Sequence, residues 1–364
     1  MKPESAPPDE PVESLDRLLR LPDPLPPCTR DELLGLYRQM ALIRRVEELA
    51  AKAYTQRKIL GFCHLYIGQE SVAVGAAAST SDDYWITAYR DHGHAMAKGV
   101  SARAMMAELF GKRTGASQGQ GGSMHIFDKS VRFMGGYGIV GAHVPMANGI
   151  AWAARAREEE RVCVCFFGDG AANQGAFFEA LCLAELYRLP VVFICENNGY
   201  AMGTPLHRQS AVTDMSLRAR GVGMTREQLA GWDVQRVRQR VAAARQHALS
   251  GQGPVLLEIV TYRYRGHSMS DPAKYRPAGE LEQVRERNDP LTLTRRDLQK
   301  DHGLDDAAIE AVLASVEEEA DDSWAFAESS AEPDPATLYD FVYAPQTTSL
   351  AADTDLSAAR PQES

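Results

Sequence analysis

Residues 161–199 read "RVCVCFFGDGAANQGAFFEALCLAELYRLPVVFICENNG", and the order of chemistry along them decides the fold. "RVCVCFF" is an apolar run of strand length, Gly168-Asp169-Gly170 is a turn, and "QGAFFEALCLAELYRL" has the length and pattern of a helix. "PVVFICE" is a second apolar run, ending at Asn197-Asn198. Strands apolar on both faces and joined through a helix predict a βαβ unit in a parallel sheet covered on both sides. A right-handed crossover brings the carboxyl ends of both strands to one edge of that sheet. Asp169 and Asn198 are therefore expected side by side, although 26 residues lie between Gly170 and Asn197.

That edge is where open parallel sheets bind ligands. A carboxylate and an amide oxygen converging there suit Mg²⁺, which prefers oxygen ligands and completes its octahedron with phosphate oxygens and water. The glycines flanking Asp169 are expected to allow positive φ and a close approach of backbone to a diphosphate. Asp-Gly and Asn-Asn-Gly are also ordinary turn formers. The spacing, set within a strand–helix–strand context, favours the ligand site over the plain turn.

Outward from this unit, "DYWITAY" (83–89) and "PVLLEIVTYRY" (254–264) read as further strands, with helical patterns between. The fold class predicted is α/β, a mostly parallel sheet with helices on both faces. Thr29-Arg30-Asp31-Glu32 has the capping-box pattern and opens a long amphipathic helix. Proline-rich residues 1–28 are expected to be extended or disordered, 29–345 to form a single domain, and 346–364 to be a disordered tail. Charged, helix-prone residues 280–330 read as a peripheral helical segment of that domain.

The chain has 364 residues, 45% hydrophobic, with a formal net charge of −10. Such acidity argues against nucleic acid or an anionic membrane as the main partner. No apolar run approaches the ~20 residues that span a bilayer, and no secretory or transit pattern opens the sequence, so the expected compartment is the cytoplasm. The six cysteines form no CxxC pattern and read as reduced core residues, with Cys163 and Cys165 on one face of a strand. "GYGIVG" (136–141) fits the loose GxGxxG pattern and precedes a helix-like stretch, but no strand is expected before it and no ribose-binding acid follows.

The GDG motif, 26 residues and then NN resemble the diphosphate-binding pattern of thiamine-diphosphate enzymes. "GFCHLYIGQE" (61–70), "ITAYRDHG" (86–93), "GQGGSMHIF" (119–127), "GIVGAHVP" (138–145) and "TYRYRGHSMSDPAKYR" (261–276) extend the resemblance over about residues 30–345. The text is similar to α subunits of pyruvate dehydrogenases of the two-α, two-β type, with other 2-oxo acid or acetoin dehydrogenases next. A cofactor-binding scaffold without turnover is the reading from a different class.

The resemblance implies that Asp169 and Asn198 ligate Mg²⁺ by side chain and Tyr200 by its carbonyl. It implies that Gly170 and Ala171 offer N–H groups to the diphosphate of thiamine diphosphate, and that Tyr89 and Arg90 reach the same group. Gly138 and Val140 would meet the aminopyrimidine, and Met202 would be the wedge that bends the cofactor. His64 and His267 would be catalytic, lining the channel to the thiazolium. Each also has a plain reading: His64 as a core histidine among apolar residues, His267 as a loop residue beside Arg263 and Arg265. His92, His94 and His125 are expected in structural or supporting roles.

The implied partners are a β subunit, which supplies the glutamate that activates the cofactor, pyruvate as substrate, and a dihydrolipoyl acetyltransferase core whose lipoyl domain takes the acetyl group. Pro205 stands where animal relatives carry a phosphorylatable serine, and the loop bearing Ser268 and Ser270 is shorter than theirs, which favours a bacterial-type enzyme. Ala230, in "GMTREQLAGWD" (223–233), replaces an aspartate of the family text.

Overall fold

A computed structural model describes residues 17–340; the expected tail 346–364 and the first sixteen residues lie outside the described residues. Helix α1 (Arg30–Thr55) starts at the predicted capping box: Thr29 accepts from the Glu32 N–H while the Glu32 carboxylate accepts from the Thr29 N–H. After α2 (Glu70–Thr80) come β1 (Tyr84–Ala88), α3 (His92–Lys98), α4 (Ala102–Leu109), β2 (Phe133–Tyr137) and α5 (His143–Ala156). The unit that opened the sequence follows as β3 (Cys163–Gly168), α6 (Gly175–Leu186) and β4 (Val191–Asn197). A two-residue ribbon, β5 (Tyr200–Ala201) and β6 (Thr204–Pro205), leads into the single turn α7 (Leu206–Gln209). Then come β7 (Thr225–Ala230), α8 (Val234–His247) and β8 (Val255–Val260), and the chain closes on α9 (Glu280–Asn288), α10 (Pro290–His302) and α11 (Asp306–Ser329).

Six strands form one parallel sheet in the order β2-β1-β3-β4-β8-β7. Alternate residues of its central strands enter two separate cores. Val164, Phe166, Val192 and Ile194 join the side covered by α1, α2, α3 and α8, whereas Cys163, Cys165, Phe167 and Phe193 join the side covered by α5 and α6. With both faces covered, every residue of these strands can be apolar, hence the unbroken runs in the sequence. Five cysteines are buried and Cys182 on α6 is exposed.

Two sheet strands, β2 and β7, were not expected. They are the two edges, "FMGGY" and "TREQLA", and neither has an apolar strand composition. The expectation that no strand precedes "GYGIVG" is thus corrected: β2 runs into it and α5 follows. The strand expected over 254–264 ends at Val260. Residues 17–28 are extended, as one of the two expectations had it, and packed. The Leu19 N–H donates to the Arg226 carbonyl at 3.0 Å, and the buried Arg240 guanidinium binds the carbonyls of Leu19 and Leu21. In the helical periphery, α10 packs on α1 and α11 packs on α1 and α4.

Candidate active site

Pairing of β3 with β4 sets Gly168 opposite Glu196, so the residues after each strand leave the sheet side by side. Asp169 and Asn198 are both buried. They line one cavity of about 260 Å³ at the carboxyl edge. Tyr89, Arg90, Val140, Gly170, Ala171, Tyr200, Met202 and His267 line it as well. Gly138 lies just outside its wall, against the His125 ring, and His64 stands behind the wall, with its ring centroid 4.7 Å from Tyr89 and 5.0 Å from His267.

The glycines beside Asp169 act differently from the expectation. Neither has a positive φ, and Gly170 sits at φ −65°. Gly170 is required by proximity instead: a Cβ there would meet the Ala201 Cβ at 2.7 Å, because the β5–β6 ribbon folds over the turn. The positive φ belongs to Gly199 (+85°), which reverses the chain after Asn198, and to Met202 (+53°). A left-handed methionine that is 64% exposed is strained and unsupported by burial, a pattern found where a side chain is held for a ligand.

The Asn198 amide is oriented by its neighbours. Its Nδ2 donates to Gln69 Oε1 at 3.1 Å, which leaves Oδ1 with one weak contact, the Tyr200 N–H at 3.3 Å. Behind it, the Asn197 Nδ2 donates to the buried Glu258 at 2.6 Å. The Asp169 carboxyl is pushed up by burial, against the lowering effects of Gln209, the Asn198 N–H and Arg263. Its side-chain partner is Gln209, whose amide donates to Oδ2. A buried carboxylate oxygen and an amide oxygen with spare lone pairs fit a hard divalent cation.

Two guanidinium groups face the same cavity. Arg90 donates to the carbonyls of Leu65 (2.7 Å) and His267 (2.8 Å), and Arg263 to the Met202 carbonyl and the Tyr275 hydroxyl, both at 2.9 Å. Neither has a carboxylate within ion-pair distance among the described residues; burial and then Arg263 lower Arg90 to about 10, and burial with Arg276 beside it moves Arg263 down as well. Buried positive charge without a counter-ion favours an anionic ligand. The two histidines are neutral: burial first, then Arg90, holds His64 down at about 3 and His267 at about 4. Each Nδ1 is buried without a hydrogen-bond partner.

Sequence reasoning missed Gln69, Gln209 and Arg263 as cavity residues. Arg263 alone carried a signal, as a charge just beyond a buried strand. Ser268 is buried, its hydroxyl 2.9 Å from that of Ser270, and Ala230 falls at the exposed end of edge strand β7.

Residues 38–336 match the family of dehydrogenase E1 components. The chain belongs to that family. Dehydrogenase E1 components of this kind depend on thiamine diphosphate. The pyruvate dehydrogenase E1 component subunit alpha of Rhizobium meliloti is 47% identical over 312 residues, 85% of this chain and 90% of that one. The subunit of the same name from Zymomonas mobilis is 45% identical over 85% of this chain and 88% of its own. A probable mitochondrial pyruvate dehydrogenase E1 component subunit alpha of Caenorhabditis elegans is 43% identical over 86% and 79%. Membership in the E1 component family agrees with the α/β fold and with the place of the cavity at the sheet's carboxyl edge.

Proposed function

We propose that this chain is the catalytic α subunit of a two-α, two-β pyruvate dehydrogenase that uses thiamine diphosphate and Mg²⁺. In this reading it oxidatively decarboxylates pyruvate and passes the acetyl group to the lipoyl domain of a dihydrolipoyl acetyltransferase. One observation carries the reading: the oxygen pair of Asp169 and Asn198 shares a cavity with two buried guanidinium groups that lack carboxylate partners. A cation site beside unbalanced positive charge is the donor set for a metal-bound diphosphate.

Asp169, Asn198 and the Tyr200 carbonyl would hold the metal. The N–H groups of Gly170 and Ala171, with Tyr89 and Arg90, would hold the diphosphate, and Gly138, Val140 and Met202 would seat the rings. When bound, thiamine diphosphate supplies the nucleophilic carbon and the electron sink for decarboxylation. The chain's own residues do the rest. His64 and His267, neutral and adjacent, can each donate one N–H toward a substrate carboxylate or a developing oxyanion without adding a fixed charge.

The partner reading rests on surface chemistry. Ile139, Val140 and Met202 are exposed at the cavity mouth, and Trp152, Leu186 and Tyr187 are exposed on α5 and the end of α6. Apolar exposure of this extent marks a protein interface, and the cofactor-activating glutamate belongs to the β subunit in this reading. Among the described residues no helix is long and apolar enough to cross a membrane; in this reading the assembly, as a bacterial-type enzyme, works in the cytoplasm.

Reconstitution tests the function. The α chain mixed with the β subunit of the same source, thiamine diphosphate and Mg²⁺ should reduce an artificial acceptor in a pyruvate-dependent way, and the α chain alone should not. No pyruvate-dependent reduction in the mixture would falsify the enzyme reading. Branched-chain 2-oxo acids exceeding pyruvate in kcat/KM would replace the substrate.

A further inference from the structure

Behind the cavity wall a buried relay, which includes His92, ends on the backbone of His64. Glu47 on α1 and His92 on α3 are fully buried, with His92 Nδ1 3.0 Å from Glu47 Oε2. On its other side, His92 Nε2 lies 2.8 Å from Ser123 Oγ and 3.1 Å from the Ser123 carbonyl. A carboxylate can only accept, so His92 Nδ1 carries a proton and donates to Glu47, while Nε2 shares its hydrogen bond with the Ser123 hydroxyl, which can donate or accept. Burial disfavours the charged form of His92, but Glu47, Asp91 and the Ser123 carbonyl together move it upward.

The relay has two outputs on one short segment. Ser123 Oγ accepts the His64 N–H at 3.1 Å, and Glu47 Oε1 accepts the Tyr66 N–H at 2.7 Å. The Leu65 carbonyl between them is taken by Arg90. Immediately before and after, the Cys63 and Ile67 carbonyls accept from the N–H groups of Met269 and Tyr264, which flank the His267 loop. Residues 63–67 are thus gripped from the relay on one side and from the His267 loop on the other. Across this segment the two imidazoles stand 5.0 Å apart.

We propose that Ser123, His92 and Glu47 are positioning residues that set His64 against His267 for turnover, acting through the His64 backbone. Among the described residues, the side chains of the relay make no hydrogen bond to a residue that lines the cavity. The inference rests on the catalytic reading of His64, and misplacing a reacting group by a fraction of an ångström costs rate rather than cofactor affinity.

A double-mutant cycle on the reconstituted α/β enzyme tests it, using the 2-oxo acid with the highest wild-type rate. Ser123→Ala should lower kcat about tenfold, with cofactor affinity, read by fluorescence quenching, and α/β assembly unchanged. In a His64→Gln background, Ser123→Ala should cost nothing further, because its effect passes through His64. Equal costs in both backgrounds, or a wild-type kcat for Ser123→Ala, would overturn the proposal. If Ser123→Ala fails to assemble, Glu47→Gln, which keeps the side chain's shape, carries the same cycle with the same two outcomes. A wild-type rate for His64→Gln alone would instead remove the catalytic reading on which the proposal stands.

Discussion

The imidazole rings of His64 and His267 meet edge to face at 5.0 Å, although 202 positions separate them in the chain. Both are neutral, with Arg90 and mutual proximity adding to burial at His64 and Arg90 and Arg263 adding to it at His267. The unfolded chain protonates a histidine near about pH 6.5, whereas the folded chain resists until about 4 for His267 and about 3 for His64. Between those values the unfolded state binds more protons, so the stability these sites allow is complete above the unfolded value and falls with pH through the window. Replacing His64 by Gln should therefore shrink the loss of Tm between about pH 7 and about pH 5. Parallel wild-type and H64Q profiles would show that His64 titrates normally.

The same pair predicts a rate effect separable from binding. His64→Gln and His267→Gln should each lower kcat/KM about a hundredfold if the ring donates to developing charge. Retention of Mn²⁺, followed by electron paramagnetic resonance, should be unaffected in both. A loss of Mn²⁺ affinity matching the loss of rate would place the histidines in the metal site instead.

Asp169 is a buried carboxylate whose ionised form is disfavoured by burial. Removing it as Asp169→Ala should leave circular dichroism and the metal-free Tm close to wild type, since a costly buried charge leaves with it. What should disappear is the rise in Tm on adding Mg²⁺ and thiamine diphosphate, which comes only from binding to the native state. A preserved rise would locate the cation elsewhere.

The sequence disclosed those parts of the fold and site that rest on local chemistry. Strands β3, β4 and β8 were legible because burial on both faces makes them continuously apolar, and Asp169 with Asn198 because a crossover fixes where both strand ends must lie. Strands β2 and β7 were not, since each sits at an edge and is held by a single neighbouring ladder: two glycines occupy "FMGGY", and "TREQLA" is made of polar residues and helix formers. Gln69, Gln209 and Arg263 come from the start of α2, the end of α7 and the segment after β8. Nothing in their own spacing announces a shared cavity, because tertiary packing alone joins them.

Gly170 gives a steric prediction that the turn's sequence did not. With a Cβ 2.7 Å from the Ala201 Cβ, Gly170→Ala must displace the β5–β6 ribbon that carries Tyr200 and Met202. Overpacking of this kind costs about 1–3 kcal/mol. The expected outcome is a weaker affinity for thiamine diphosphate in a folded protein, measured by calorimetry. Wild-type affinity would mean the ribbon gives way without moving the site.

Gln209 offers the sharpest separation of metal affinity from fold. It stands on the one-turn helix α7, none of whose residues is buried, yet its amide reaches the buried Asp169 carboxylate. A cation approaching Asp169 must compete with that hydrogen bond, whose net worth is about 1 kcal/mol. Gln209→Ala removes the competitor and leaves the carboxylate unpartnered on that oxygen, so Mn²⁺ should bind about fivefold more tightly. The metal-free Tm should fall slightly, because the amide no longer satisfies Asp169. Titration of Mn²⁺ into both proteins by electron paramagnetic resonance reads the difference. Weaker binding in the variant would mean that the Gln209 side chain serves the cation as a ligand, its amide turned so that the oxygen faces the metal.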